Sequence, residues 1–222
     1  MTNPRLWLAG GLAGVGSICC YILAIAFPWP ENQFGTAASM LVISGFPILG
    51  IIASYALCSF VAAERDGPAN RLGFIFAAAA FATLLAMIIV QLAVGSGVAE
   101  VTRGLDGQTQ KVFRRALRLI DHGLDVAWDL LIGTALIFWG LALRARVHFG
   151  AGWAYPSVAF GILLIGLNAA TFPWPPNTRG LFDIGPAIAT FMLVLYGRLA
   201  ILGRRAQRSA ALATPGAVAP HL

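Results

Sequence analysis

The sequence is poor in charge. Only 11% of its 222 residues are charged, against 59% that are hydrophobic, whereas a soluble domain is about one quarter charged. That scarcity excludes an ordinary soluble domain. Lysine is rarer still: Lys111 is the single one and lies outside the apolar spans, so a pigment that holds retinal through a lysine Schiff base is excluded. The cysteines, Cys19, Cys20 and Cys58, are odd in number and sit in apolar runs. They read as small buried hydrophobes, neither a disulfide framework nor a metal set. The chain also lacks His-Glu-x-x-His, Gly-x-Ser-x-Gly, a phosphate-binding loop and Cys-x-x-Cys, the short patterns that carry recognisable chemistry. No cofactor is implied.

What is present is long apolar runs. The mean hydropathy is +0.79, and several runs reach the roughly 20 residues that cross about 30 Å of hydrocarbon as a helix. Segments of about ten residues with alternating polarity, the mark of a membrane β-barrel, are missing. The expected fold is therefore all-α: a polytopic transmembrane bundle of six spans over residues 1–203, with a disordered tail over 204–222. The net charge of +6 is carried by arginines clustered at the ends of the apolar runs. Such arginines orient helices and meet anionic lipid, so the expected partner is the bilayer and not nucleic acid.

A six-residue motif organises the chain. Phe27-Pro28-Trp29-Pro30-Glu31-Asn32 returns 145 positions later as Phe172-Pro173-Trp174-Pro175-Pro176-Asn177, with Gly35 or Gly180 closing each copy. Each copy links two apolar runs. Direction is preserved between the copies, so spans one and two would form a parallel pseudo-repeat with spans five and six. The first run, with Arg5 before it and Ala24-Ile25-Ala26 at its end, has the outline of a cleaved signal. Its length and the return of its motif inside the chain favour an uncleaved first span.

The spans are expected at about 38–62, 72–94, 126–143, 153–172 and 182–202 after the first, with a loop at 28–37 and a hydrophilic turn at 63–71. Pro47 should kink the second. Residues 95–107 read as a polar connection, and 108–124 as an amphipathic helix with Phe113, Leu117, Ile120 and Leu124 on one face. That segment is either interfacial or packed on the bundle. Asp106 is its expected N-cap and Gly123 an expected bend. Six spans put both termini on one side with Arg5, Arg71, Arg144, Arg146, Arg204, Arg205 and Arg208. The positive-inside tendency makes that side cytoplasmic, in a bacterial inner membrane, and turns both proline motifs outward.

The densest polar set lies on the fourth helix. At 100° per residue, Arg114, Arg118, Asp121, His122, Asp125 and Asp129 share a stripe about 100° wide. A bare carboxylate within the bilayer is costly, so these acids must be paired, hydrated or protonated. One reading is an outward-facing site for a small polar solute, a cation or a proton. The other is a stripe of salt bridges in which Arg114 and Arg118 neutralise Asp121 and Asp125. His122, Asp125 and Asp129 alone are a thin donor set for zinc or manganese. Trp29 and Trp174 are candidate ligand contacts or interfacial anchors. Asp183 reads as the N-cap of the last helix or a partner of Arg179, and Asn168 as an interhelical hydrogen-bonding group or a ligand contact.

Trp128-Asp129, Asn168 and the run Phe172-Pro173-x-Pro175-Pro176, Gly180, Asp183, Gly185-Pro186 resemble a set of small bacterial integral membrane proteins of unassigned function. The resemblance spans about residues 120–200. It implies a membrane-embedded helical fold and no activity, and it carries over no catalytic residue. Binding or transport at the acidic site is one functional expectation. A structural or assembly subunit, paired with another membrane protein or with itself, is the other. An enzyme is the weaker third, since no nucleophile with an adjacent base stands out.

Overall fold

The computed structural model describes residues 3–30 and 32–212. They form six long helices: α1 (Pro4–Ala26), α2 (Gln33–Arg65), α3 (Pro68–Val101), α4 (Gly107–Leu143), α5 (Ala151–Thr171) and α6 (Gly185–Leu212). A short 3₁₀ turn, Pro176–Arg179, precedes α6. All six long helices have the length and apolarity to cross a membrane. The chain is an all-α, multi-pass membrane protein.

Local chemistry sets the helix starts. Asn3 accepts from the Leu6 amide with Pro4 behind it, and Asn32 accepts from the Gly35 amide at 2.8 Å. Asp106 caps α4 as expected, accepting from the Gln108 and Thr109 amides at 2.9 and 3.0 Å. Asp183 stands one residue farther out than a cap: its carboxylate takes the Gly185 amide at 2.8 Å, and Ile184 supplies the first carbonyl of α6. Such contacts occupy amides that have no partner within the helix.

Several boundaries move. The 63–71 turn shrinks to Asp66-Gly67, because α2 runs to Arg65 and Pro68 opens α3. The polar connection at 95–107 is mostly helix, since α3 reaches Val101. α4 runs unbroken through Gly123, where no bend interrupts it. α6 continues beyond Leu202 to Leu212 and carries Arg204, Arg205 and Arg208 as helix. The rest of the expected tail, 213–222, lies outside the described residues.

The helices pack in cyclic order, α6 on α1, α1 on α2, then α3, α4 and α5. Glycines bring most neighbours close. A Cβ on Gly11 would lie 2.4 Å from the Ala200 amide nitrogen, one on Gly10 2.0 Å from the Ala56 methyl, and one on Gly161 2.4 Å from the Gly133 carbonyl. In lipid, where tails are as apolar as leucine, such close backbone contact is a main source of helix association. α5 and α6 are the exception. They meet through rings, Phe191 lying 6.0 Å from Trp153 and 5.5 Å from Phe160 between centroids. The wider gap leaves room at the centre of the bundle.

The end that holds both helix termini, α1's first and α6's last residues, is tied across the chain. The Arg198 guanidinium donates to the His148 carbonyl at 2.8 and 2.5 Å, and Glu64 accepts from the Val147 amide at 3.2 Å. Above this end, Trp139, Leu57, Leu136, Leu143 and Leu199 form a fully buried core. At the other end α4 runs past α5 with α3 beside it. Asp129 of α4 faces Asn168, near the end of α5, so roughly 28 Å of α4 continues past that helix at 1.5 Å per residue. Residues 108–122 pack on α3 as part of this hairpin, with Gln110 closing its turn onto the Thr102 and Leu105 carbonyls.

The two proline motifs do not fold alike, and α1–α2 pack closely where α5–α6 do not. The pseudo-repeat rests on the sequence motif alone.

Candidate functional site

The wide α5–α6 spacing opens onto a central cavity of about 210 Å³ walled by residues from all six helices. Asp125 and Asp129 reach it from α4. They stand four residues apart and so project from one face. Asp129 is more than nine-tenths buried, with 8% of its surface exposed. Its Oδ2 accepts from the Asn168 side-chain nitrogen at 2.8 Å, and the same nitrogen donates to the Leu164 carbonyl at 3.0 Å. Asn168 is fully buried, and its Oδ1 has no hydrogen-bond partner among the described residues. Oδ1 of Asp129 receives no hydrogen bond among the described residues.

The second proline motif forms part of the wall. Its Phe172–Pro173 bond is cis, Pro175 and Pro176 line the cavity, and Thr178 bonds back to the Pro175 carbonyl at 2.8 Å. Gly180, at φ +77, turns the chain toward Asp183, a third carboxylate on the cavity. Ser17, Tyr21 and Tyr196 from other helices and Asn177 of the loop add to its polar surface. Ser17 donates to the Phe46 carbonyl at 2.6 Å, and the buried Tyr196 hydroxyl meets Ser54 at 3.3 Å.

The electrostatic balance is one-sided. Asp125, Asp129 and Asp183 line the cavity, and among the described residues no arginine, lysine or histidine does. The salt-bridged stripe is not what forms. Among the described residues the ion pairs within 4 Å are Arg71–Asp66 and His148–Glu64, so neither Arg114 nor Arg118 neutralises Asp121 or Asp125.

The other expected site residues part company. Asp121 accepts from Gln91 of α3 at 2.7 Å and borders a separate groove with Arg114 and Arg118. His122 stops short of the cavity wall, its ring 5.5 Å from that of Trp174. The Arg179 guanidinium lies 5.6 Å from the centre of this indole and is not within ion-pair distance of Asp183. Trp29 is remote, donating to the Ala24 carbonyl at 3.3 Å and packing on Phe27. No three His, Cys, Asp or Glu side chains among the described residues gather closely enough to hold a metal ion.

The sequence reading missed Ser17, Tyr21 and Tyr196 as cavity residues. A signal for the first two was present: Gly14, Ser17 and Tyr21 are spaced i, i+3, i+7 on one face of α1. Tyr196, packed on Gly14, looked like any aromatic residue of an apolar span.

No family model, curated protein or solved structure matches the chain.

Proposed function

We propose that this protein binds a small cation in the central cavity and carries it across, or holds it within, a bacterial inner membrane. The observation that supports this most directly is the set of three carboxylates on a cavity wall to which no described residue brings a positive side chain. An uncompensated carboxylate deep in a helix bundle costs at least about 3 kcal/mol, and a bound cation or a proton is what offsets that cost. The positive-inside tendency places the end rich in arginine, with both termini, in the cytoplasm. The cavity and both proline turns then face outward. The motif around Trp128-Asp129 and Gly185-Pro186 fits a small bacterial membrane protein family.

The test is thermal unfolding in detergent with a panel of inorganic and organic cations. A cation at 100 times its Kd stabilises the fold by about 2.7 kcal/mol. Asp129→Asn keeps the acceptor for Asn168, so the variant should be at least as stable as the wild type in buffer and should lose the cation effect. A much less stable variant, with no cation stabilising the wild type, overturns the proposal.

The reading as an assembly subunit has one observation in its favour. The α3–α4 hairpin carries an apolar groove edged by Arg114 and Arg118, neither of which has an acidic partner among the described residues. A stable complex with a second membrane protein after mild detergent extraction would support it.

A further inference from the structure

We infer that the cation is organic: a small ammonium ion with an apolar body, its charge against Asp125 and Asp129 and its body among aromatic rings. This rests on reading the cavity as a cation site. It adds the chemical class of the ligand.

The first reason is the composition of the wall. Tyr21, Phe46, Phe81, Trp128 and Tyr196 all border the cavity, so every helix but α5 contributes a ring. Aromatic faces attract cations, and more strongly once water is excluded. They offer little to a hydrated metal ion. A calcium-like ion takes six to eight oxygen ligands and magnesium a near-octahedral set. Here the described acids do not converge on such a point.

The second reason is size. At about 210 Å³ the cavity exceeds the engineered apolar cavity of about 150 Å³ that holds benzene. A bare inorganic ion or a proton would leave most of this space as water against apolar walls, whereas an amine bearing a ring or short branched chain occupies it.

The third reason is the unpaired acceptor. Asp129 is more than nine-tenths buried and lines the cavity, and Asn168 engages its Oδ2. Its Oδ1 is without a hydrogen bond among the described residues. A carboxylate on a buried side chain costs free energy unless its charge is offset, and an ammonium group, of opposite sign, offsets it with or without an N–H.

The experiment uses the full chain in detergent and equilibrium dialysis of radiolabelled benzyltrimethylammonium, with benzyl alcohol, potassium chloride and magnesium chloride as separate probes. Benzyltrimethylammonium should bind saturably at one site per chain. Asp129→Asn should weaken it at least tenfold, and Asp125→Asn, at a less buried position, should do the same in direction if the first variant does not accumulate. Tyr21→Leu should weaken it about threefold without altering any inorganic ion. Benzyl alcohol should not bind saturably. Equal binding of benzyl alcohol, or an affinity unchanged by both Asp variants, overturns the inference. Saturable, Asp129-dependent binding of potassium or magnesium without benzyltrimethylammonium binding sinks the organic class and leaves the cation site standing. Binding of no cation at all removes both.

Discussion

The two copies of the proline motif agree in five of six residues and do different things. In the first, Phe27 and Trp29 pack on each other with centroids 4.9 Å apart, and the Trp29 nitrogen returns to the carbonyl of Ala24 in its own helix. That copy ends α1 and starts α2. In the second, Trp174 reaches across to His122 of α4 and carries Arg179 over its face, while Pro175 and Pro176 wall the cavity. The lesson is that a rigid turn supplies a shape, and what lies beneath decides its use. Beneath the first copy is a closely packed α1–α2 pair. Beneath the second is the gap between α5 and α6.

The closing glycines sharpen this contrast and carry the largest expected effects. A Cβ on Gly35 would stand 2.0 Å from the Pro30 carbonyl oxygen and 2.8 Å from its carbon, so backbone must move. Gly35→Ala is expected to cost about 2–3 kcal/mol, in the range of overpacked sites, measured by thermal unfolding in detergent. Gly180 has open space around it but a φ of +77, which an L side chain adopts at a cost of roughly 1–2 kcal/mol. Gly180→Ala should therefore be the milder change, and Gly180→Asn milder still, since asparagine tolerates that region. Equal losses at the two glycines would break the distinction between a steric and a conformational requirement.

Next in size is the separation of the tryptophans. Trp174→Ala releases Arg179 from its ring, and the freed guanidinium can approach Asp183 at the cavity. Cation affinity should fall about fivefold, near the 1 kcal/mol of a partly exposed cation–π contact. Adding Arg179→Gln should restore most of it. Trp29→Ala, at the copy whose tryptophan does not line the cavity, should leave affinity unchanged within error in the same titration. If Trp29→Ala weakens binding as much as Trp174→Ala, the motifs form a paired lip and the contrast fails.

How much of this could be read from the sequence follows the same division between shape and surroundings. The spans were legible because lipid offers no hydrogen bonds, and a crossing segment must be a long apolar helix. Asp106 as a cap was legible because the cap is local chemistry. The extension of α3 to Val101 and α6 to Leu212 was not, because hydropathy marks contact with lipid and these turns gain their helix from neighbours or continue outside it. At the site, spacing put Asp125 and Asp129 on one face. Spacing also put Asp121 and His122 there, yet α4 has α3 on one flank and α5 on the other. A stripe about 100° wide is broad enough to face both, and only the packing shows that Asp121 turns to Gln91 while Asp129 turns to Asn168.

The smallest expected effect lies at the opposite end, in the Asp66-Gly67 turn. Arg71 donates to Asp66 through Nε at 2.9 Å and through Nη2, and this bond holds the Asp66 carboxyl below the usual carboxylate range. A lowered folded-state value means that the contribution is fully present above the ordinary carboxylate range and is lost as pH falls through the folded value. Between about pH 5 and pH 3, wild-type stability should therefore decline slightly more than that of Asp66→Asn. Solvent screens this exposed pair, so the difference should be small. Cation affinity at neutral pH should be the same for both proteins, because the turn shares no residue with the cavity. A change in affinity on Asp66→Asn would mean that α2 and α3 transmit the state of their shared turn to Phe46 and Phe81 on the cavity wall. The asymmetry between the proline motifs would then belong to the whole bundle instead of the gap beneath one of them.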